Sequence, residues 1–425
     1  NCSWIFEWSE GEDMSCGEEE NLELKNCETF TSGMLISSKC PIADRCKYKN
    51  VEVECCWCCA DRIYATLQEE GYFVIRSGRA NIVAIPSCMK TKAGHEVKIV
   101  AWKKEIALYL LDIYGFEYEE VGKNYKDLMK KAYGMLKSDF KALKLARKFK
   151  PDILVCGNPY LAHVSKLIRK PHIIFLDTEH ATLANWLTFP FSDVICTPFC
   201  YKGKINPKKH VRYNGYETLA YLHPNYFKPD PSVLDDLGLS KDDRFIILRF
   251  VSWRASHDIG EHGFELTDLR NYIRELENYG KVFITSESSK RGFEDYKLTV
   301  APEKIHHVLY YATMYIGEGA AMASESAILG TPAIYVNTQR LGYLEEQERR
   351  YGLVYNFNNP ERGTAQKEAL SKAVELLQDG NLKSRWQRKR ERLLKDKIDV
   401  TKFVTEFIEN YPESFEAWRA KNKNN

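Results

Sequence analysis

Two glycines and a glutamate in residues 317–336, GEGAAMASESAILGTPAIYV, have the types and spacing to hold a phosphate and the paired hydroxyls of a ribose. Gly317 and Gly319 follow a strand expected over 309–316; they allow a tight turn and leave room for a ligand near the backbone. A helix opening after such a turn presents unpaired N–H groups and the positive end of its dipole, which suits a phosphate. Met322, Ala323, Ile328 and Leu329 supply its apolar stripe, Gly330 ends it, and Pro332 starts a strand over 333–336. Glu325 falls about two turns into the helix, where a carboxylate can accept two sugar hydroxyls. An ordinary strand, helix and strand with a solvated glutamate fits the same short pattern. The remaining chain has to discriminate between them.

Such a loop needs a parallel sheet to position it, and the sequence supplies alternating strands and helices from Gly94 onward. GHEVKIVAW reads as a strand, 104–114 as a helix ended by Gly115, FEYEEVG as a short strand, and 125–149 as a long basic amphipathic helix. PDILVCG, PHIIFLD and DVICTP are apolar runs of the buried, parallel type. In a doubly wound sheet ligands sit at the carboxyl ends of the strands, which singles out Asn158, Asp177, Glu179 and His180. VRYNGYETLAYLHPNYFKPDPSVLDDLGLSKDD reads as a linker, with the first domain closing at 215 and the connection itself over 216–243. A second α/β set follows over 244–363: strand FIILRF, the polar loop VSWRASHDIGEHG, a helix over 266–279, strand KVFITSE, a helix near 302–311, and the glycine-rich unit. Two such domains facing each other make a cleft.

The ends of the chain carry other chemistry. Nine of the 13 cysteines lie within residues 1–59, so the clustering points to a local metal or redox feature rather than to disulfides spread through a secreted protein. Cys40, Cys46, Cys55, Cys56, Cys58 and Cys59 could place four thiolates around a zinc ion or an iron–sulfur cluster. Free thiols and disulfides satisfy the same spacing. Two short strands, 72–75 and 81–85, are expected on either side of a Ser-Gly turn. Residues 364–420 have a helical pattern, and their basic run 383–397 reads as a solvated helix face, with contact to a membrane surface or another anionic partner as the alternative.

Composition narrows the classes. A net charge of +2 does not mark a nucleic-acid binder, and 44% hydrophobic with 28% charged residues describes a globular chain of two domains plus an appendage. No run of about 18 apolar residues is present to span a bilayer. The opening NCSWIFEWSEGEDMSC lacks a basic start and an unbroken apolar stretch, so the expectation is a cytoplasmic protein.

Two Rossmann-like halves, a linker, and a G-A-A-M-A-S-E segment followed by L-G-x-P resemble the GT-B fold of nucleotide-sugar glycosyltransferases and the non-hydrolysing UDP-N-acetylglucosamine 2-epimerases. More closely, residues 94–359 resemble the archaeal and bacterial domain-of-unknown-function family 354. The segments carrying that resemblance are YGMLK, FKPDILV, PYLAHVSKL, DTEHA, TFPFSDVICTP, VRYNGYETLAYLHPNYF, ILRFVSWRASHDIG, GEGAAMASESAILGTPAIYVN and RLGYLEE. Members of that family open with a strand, a loop of the form D-I-x-H-P-x-H and a helix leading into GHEV. This chain instead reaches Gly94 through NIVAIPSCMKTKA.

The resemblance implies site roles. Glu325 would hold the ribose and Gly319 and Ala320 the diphosphate, with Gly317, Ala321 and Ser324 of the same segment around the ligand. Ser252, Arg254, His257 and Asp258 occupy the place of an epimerase loop that touches substrate; His257 would serve as phosphate donor or general acid. Glu179 matches an epimerase glutamate, but the epimerase aspartate after the preceding strand is replaced by C-G-N-P. For glycosyl transfer, Glu179 or His180 would deprotonate an acceptor while helix N–H groups and Arg254 stabilise the departing nucleoside diphosphate, with no cofactor required. The expected protein binds a UDP-sugar and transfers the sugar. An epimerase-like isomerase and a non-catalytic scaffold bearing a metal-binding N-terminal module are the alternatives.

Overall fold

A computed structural model of the 425-residue chain describes residues 73–77, 80–84, 96–103, 105–123, 128–250, 269–286 and 292–422. The strands expected around the Ser-Gly turn, β1 (Phe73–Ser77) and β2 (Ala80–Ala84), pair antiparallel. β3 (Ile99–Lys103), α1 (Glu105–Ile113) and β4 (Tyr118–Lys123) form a parallel pair with a helical crossover, and Gly115 takes φ 68° to end the helical turn. After α2 (Leu128–Phe149) come β5 (Leu154–Val155), α3 (Pro159–Ile168), β6 (His172–Phe175), α4 (Thr182–Thr188), β7 (Val194–Pro198) and β8 (His210–Tyr213). These four strands make one parallel sheet in the order β5-β6-β7-β8. Every residue of β6 and β7 is buried, as strands covered on both faces must be. Among the described residues no strand joins β3 to β5, and the two parallel sheets of this half stay separate.

The segment expected to be a linker is packed. Residues 210–213 are strand β8, and the short helices α5 (Leu219–Leu222) and α6 (Ser232–Asp236) follow. Tyr216, Leu219 and Leu222 are fully buried. Apolar spacing inside a proline-rich stretch marks a strap laid over a core here, because each of these large side chains gains by leaving water.

The second half contains β9 (Phe245–Phe250), α7 (Leu269–Glu277), β10 (Lys281–Ser286), α8 (Ile305–Tyr311), β11 (Met314–Gly317), α9 (Ala320–Leu329), β12 (Ala333–Val336), α10 (Gly342–Glu346), a π turn (Gln347–Tyr351) and β13 (Val354–Phe357). Its sheet is parallel, in the order β10-β9-β11-β12-β13. The chain leaves β9 on one side and returns on the other as β11, so the winding reverses between these two strands. A crevice opens at such a reversal. The strand expected over 309–316 is shorter than its apolar run: Val308 and Leu309 are inward-facing positions of α8, and the extended Ala312 separates helix from strand.

Four helices close the structure: α11 (Arg362–Leu377), α12 (Leu382–Asp396), α13 (Val400–Glu409) and α14 (Glu413–Asn422). The basic run in α12 is a solvated face only in part: Arg385, Arg388, Arg392 and Lys395 are exposed as expected, while other members of the run turn to the protein. Arg390 Nε donates to the Ile328 carbonyl at 2.7 Å, Gln387 to that of Leu329 at 3.2 Å, Lys389 to that of Gly352 at 2.6 Å and Lys383 to that of Ala312 at 3.1 Å. These carbonyls end α9, the π turn and α8, where positive groups both satisfy orphan acceptors and match the helix dipole. Helix α13 crosses back to the first half, with Phe403 and Phe407 packed edge-on against Phe175 at centroid distances of 6.5 and 6.3 Å. The largest core cluster therefore runs through both halves, and smaller clusters lie within the first. The architecture is GT-B-like, as expected.

Candidate functional site

The glycine-rich turn lies at the winding reversal, where β11 runs beside β9 and Gly317 faces Arg249. A Cβ on Gly317 would sit 2.7 Å from the Arg249 Cβ and 2.6 Å from the Tyr315 hydroxyl, so only glycine fits. The turn is tied on three sides. Tyr315 Oη donates to the Gly319 carbonyl at 3.0 Å, the Glu318 N–H to the Arg249 carbonyl at 3.1 Å, and Asn337 Nδ2 to the Glu318 carbonyl at 3.1 Å. Gly319 then caps α9 in extended geometry without a side-chain cap, and Ala320, Ala321 and Met322 of the first turn are half-buried. Arg249 Nη1 donates to Thr285 Oγ1 at 2.9 Å, which holds a cation at the same strand end. A fixed turn, a helix start and a guanidinium beside it suit an anion.

Glu325 is buried one face further along α9. Its Oε1 accepts the Tyr221 hydroxyl at 2.8 Å and lies 3.6 Å from His306 Nε2. The strap and α8 thus hold the carboxylate in place. Ser324 faces elsewhere: its Oγ accepts Gln347 Nε2 at 2.8 Å and sits 3.3 Å from Thr218 Oγ1, so it packs α9 against the π turn and the strap.

Glu179 belongs to the loop after β6, yet it touches the second half. Its Oε1 accepts the backbone N–H groups of Lys202 at 3.2 Å and Gly342 at 3.1 Å, whereas Oε2 is buried with no hydrogen-bond partner among the described residues. Burial raises the Glu179 pKa above the usual carboxylate value, and the two N–H bonds only partly oppose it. Lys202 adds an ion pair to Glu345 of α10 at 2.5 Å. Asp177 is buried beside this loop and accepts the Thr178 hydroxyl at 3.0 Å, and His180 is half-buried next to Glu179. Loops following β6, β7 and β12 therefore meet, which brings the carboxyl end of the β5–β8 sheet to that of the second-half sheet.

Gly317, Gly319, Ala320, Ala321 and Glu325 follow one another along the end of β11 and α9, and Glu179 and His180 lie on the loop after β6 that touches Gly342. Ser252, Arg254, His257 and Asp258 lie outside the described residues, as do Cys40, Cys46, Cys55, Cys56, Cys58 and Cys59. No cluster of His, Cys, Asp and Glu that could hold a metal occurs among the described residues, and none of their helices is long and apolar enough to cross a membrane. Sequence reasoning passed over Arg249, Tyr221, His306 and Gly342. Arg249 sits inside an apolar strand and Tyr221 inside the supposed linker, so neither stood out; Gly342 lies in RLGYLEE, which did.

Comparisons with known proteins agree with this architecture. The co-structure of S. aureus MnaA with UDP matches with a TM-score of 0.50 at 12% identity, covering 73% of this chain and 87% of that one. UDP-GlcNAc 2-epimerase from Neisseria meningitidis, bound to UDP-GlcNAc, also matches at 0.50, with 9% identity over 73% of this chain and 91% of that one. At such identities the likeness concerns the fold. An uncharacterized protein of Methanocaldococcus jannaschii is 26% identical over 254 residues, which is 56% of this chain and 74% of that protein. The family described as Protein of unknown function (DUF354) matches residues 88–409, a longer span than the motif-bearing segments alone delimit, and the chain belongs to it.

Proposed function

We propose that the protein binds a nucleotide-activated sugar, a UDP-sugar by preference, in the cleft between its two halves and transfers the sugar to an acceptor. The observation that carries this reading is the pairing, at the winding reversal, of an anchored Gly317–Gly319 turn with a buried, tethered Glu325 farther along the same helix. Backbone N–H groups at Ala320 and Ala321 hold the diphosphate, with Arg249 and Arg254 supplying positive charge, and Glu325 accepts the ribose hydroxyls. Ser252, His257 and Asp258, which follow β9 in the sequence, complete the phosphate and leaving-group contacts. Solved structures of the same fold were obtained with UDP and UDP-GlcNAc, which favours uridine nucleotides in the first screen.

Glu179 is the base we assign to the acceptor hydroxyl, with His180 beside it. Burial raises its pKa, which brings a carboxylate closer to the range where proton transfer at neutral pH is efficient. The diphosphate leaves against the helix end and the arginines, so the step needs no divalent ion. Release of UDP from UDP-GlcNAc and related nucleotide sugars, measured with a panel of acceptors, tests the reaction. The wild type should release UDP only with a matching acceptor, and Glu179→Gln should lower kcat by about 10²–10⁴-fold while still binding nucleotide. Conversion of the sugar to its 2-epimer without acceptor would replace transfer by isomerisation.

A further inference from the structure

The first half presents large apolar side chains to solvent on two neighbouring helices. Phe140 is 72% exposed and Leu136 66% exposed on α2, with Tyr133 on the same face, and Trp186 is 71% exposed on α4 beside an exposed Leu183. The two helices flank α3, whose His163 bridges them: its Nδ1 lies 3.0 Å from Asp139 Oδ2 on α2 and its Nε2 lies 3.1 Å from the Leu187 carbonyl on α4. We take the exposed groups on either side of this bridge as one surface. Exposed aromatic and aliphatic groups gathered in this way on a soluble domain mark a contact surface rather than chance exposure.

Its charge says what the contact is. Lys137, Lys141, Lys144, Arg147 and Lys148 are exposed along α2 on the same side as Phe140. The only acidic residue in that helix is Asp139, which is turned to His163, and α4 has no charged residue. A second copy of the chain would bring two such basic helices face to face, and like charges would oppose it. Apolar rings flanked by lysines fit the headgroup layer of an anionic bilayer, where rings enter the interface and cations meet lipid phosphates. We propose that the α2–α4 face is a peripheral docking surface for an anionic membrane. The patch starts near the cleft, since α4 begins at Thr182, just after His180.

Flotation of the purified full chain with vesicles tests this directly. Vesicles of equal parts phosphatidylcholine and phosphatidylglycerol should carry the protein upward, vesicles of phosphatidylcholine alone should carry much less, and added salt should release it. The double variant Phe140→Ser/Trp186→Ser should reduce association with the anionic vesicles about tenfold or more. Lys137→Glu/Lys141→Glu/Lys144→Glu should abolish the preference for phosphatidylglycerol. Both variants should keep the wild-type unfolding midpoint, because the altered side chains are solvent-exposed. Absence of flotation by the wild type, or flotation that survives both variants, would overturn the proposal. So would a double variant that turns a dimer into a monomer by light scattering while flotation stays the same, which would assign the face to self-association.

Discussion

Glu179 and Gly342, one from each half of the molecule, are joined by a hydrogen bond of 3.1 Å from the glycine N–H to the carboxylate. The Lys202 N–H shares the same oxygen at 3.2 Å, and the Lys202 ammonium reaches Glu345. These contacts form a clasp between the two halves. The carboxylate proposed for proton transfer is thereby held by a backbone group of the other half, so on that proposal one side chain links the two halves to the chemistry.

The clasp depends on the absence of a side chain at 342. A Cβ there would lie 2.0 Å from the Cys200 carbonyl and 2.7 Å from Glu179 Oε1. Gly342→Ala should therefore weaken this contact between the halves by about 1–3 kcal/mol, the usual cost of forcing atoms into a filled contact. Small-angle scattering should show a more open molecule, and urea unfolding should give a lower midpoint. An unchanged scattering profile would remove the clasp from the account.

Lys397 is buried and donates to both carboxylate oxygens of Glu346 at 3.0 Å, while Tyr216 donates to the same group at 2.8 Å. Burial disfavours the Glu346 anion, but these hydrogen bonds and the nearby charge outweigh it and hold its pKa below the ordinary value. Lys397→Met leaves that carboxylate with only the more exposed Arg350, 3.6 Å away, and should cost about 3 kcal/mol. Adding Glu346→Gln should recover part of the loss. Equal destabilisation by the single and double variants in chemical unfolding would contradict the pairing.

Acid should weaken the fold before the carboxylates titrate. Burial lowers the pKa of His307 to about 4, that of His210 to about 4 and that of His172 to about 3. A depressed histidine contributes stability that is present above its unfolded value of about 6.5 and is lost as pH falls toward the folded value, because the unfolded chain takes up the proton first. His307 also accepts the Asp230 N–H through Nδ1 at 2.9 Å, so protonation disrupts a bond as well. His307→Gln keeps an acceptor and should flatten the stability profile between pH 6.5 and 4 by up to about 3 kcal/mol. An unaltered slope would show that this histidine does not contribute.

Tyr221 supports Glu325 through a hydrogen bond of 2.8 Å from the strap. Tyr221→Phe keeps the ring and removes only the donor, so the carboxylate should lose its fixed orientation. Nucleotide affinity should fall about tenfold, in line with a hydrogen bond to a charged group, while the unfolding midpoint moves little. Titration calorimetry reads the affinity; an unchanged value would detach Tyr221 from the site.

The sequence was most informative where a local pattern and the tertiary environment demand the same thing. The buried strands β6 and β7 and the Gly317–Gly319 turn are continuous signals, and they appear where their composition places them. The strap was less legible because Tyr216, Leu219 and Leu222 sit among prolines and charges, so their burial depends on a core assembled from distant segments. The basic run in α12 was legible only on its exposed side: Lys383, Lys389 and Arg390 end on carbonyls of α8, the π turn and α9, and those partners are remote in the chain. Arg249 was hidden for the opposite reason, as a single polar residue within an apolar strand whose neighbour across the sheet is Gly317.

The central claim is that a nucleotide sugar binds at the α9 crevice with its ribose on Glu325. Calorimetric titration of the full chain with UDP, UDP-GlcNAc and other nucleotide sugars, repeated on Glu325→Ala, tests it most directly. One nucleotide sugar should bind the wild type, and the variant, folded as judged by its unfolding curve, should lose about a hundredfold or more in affinity. No binding across the panel, or equal affinity in the two proteins, would contradict it.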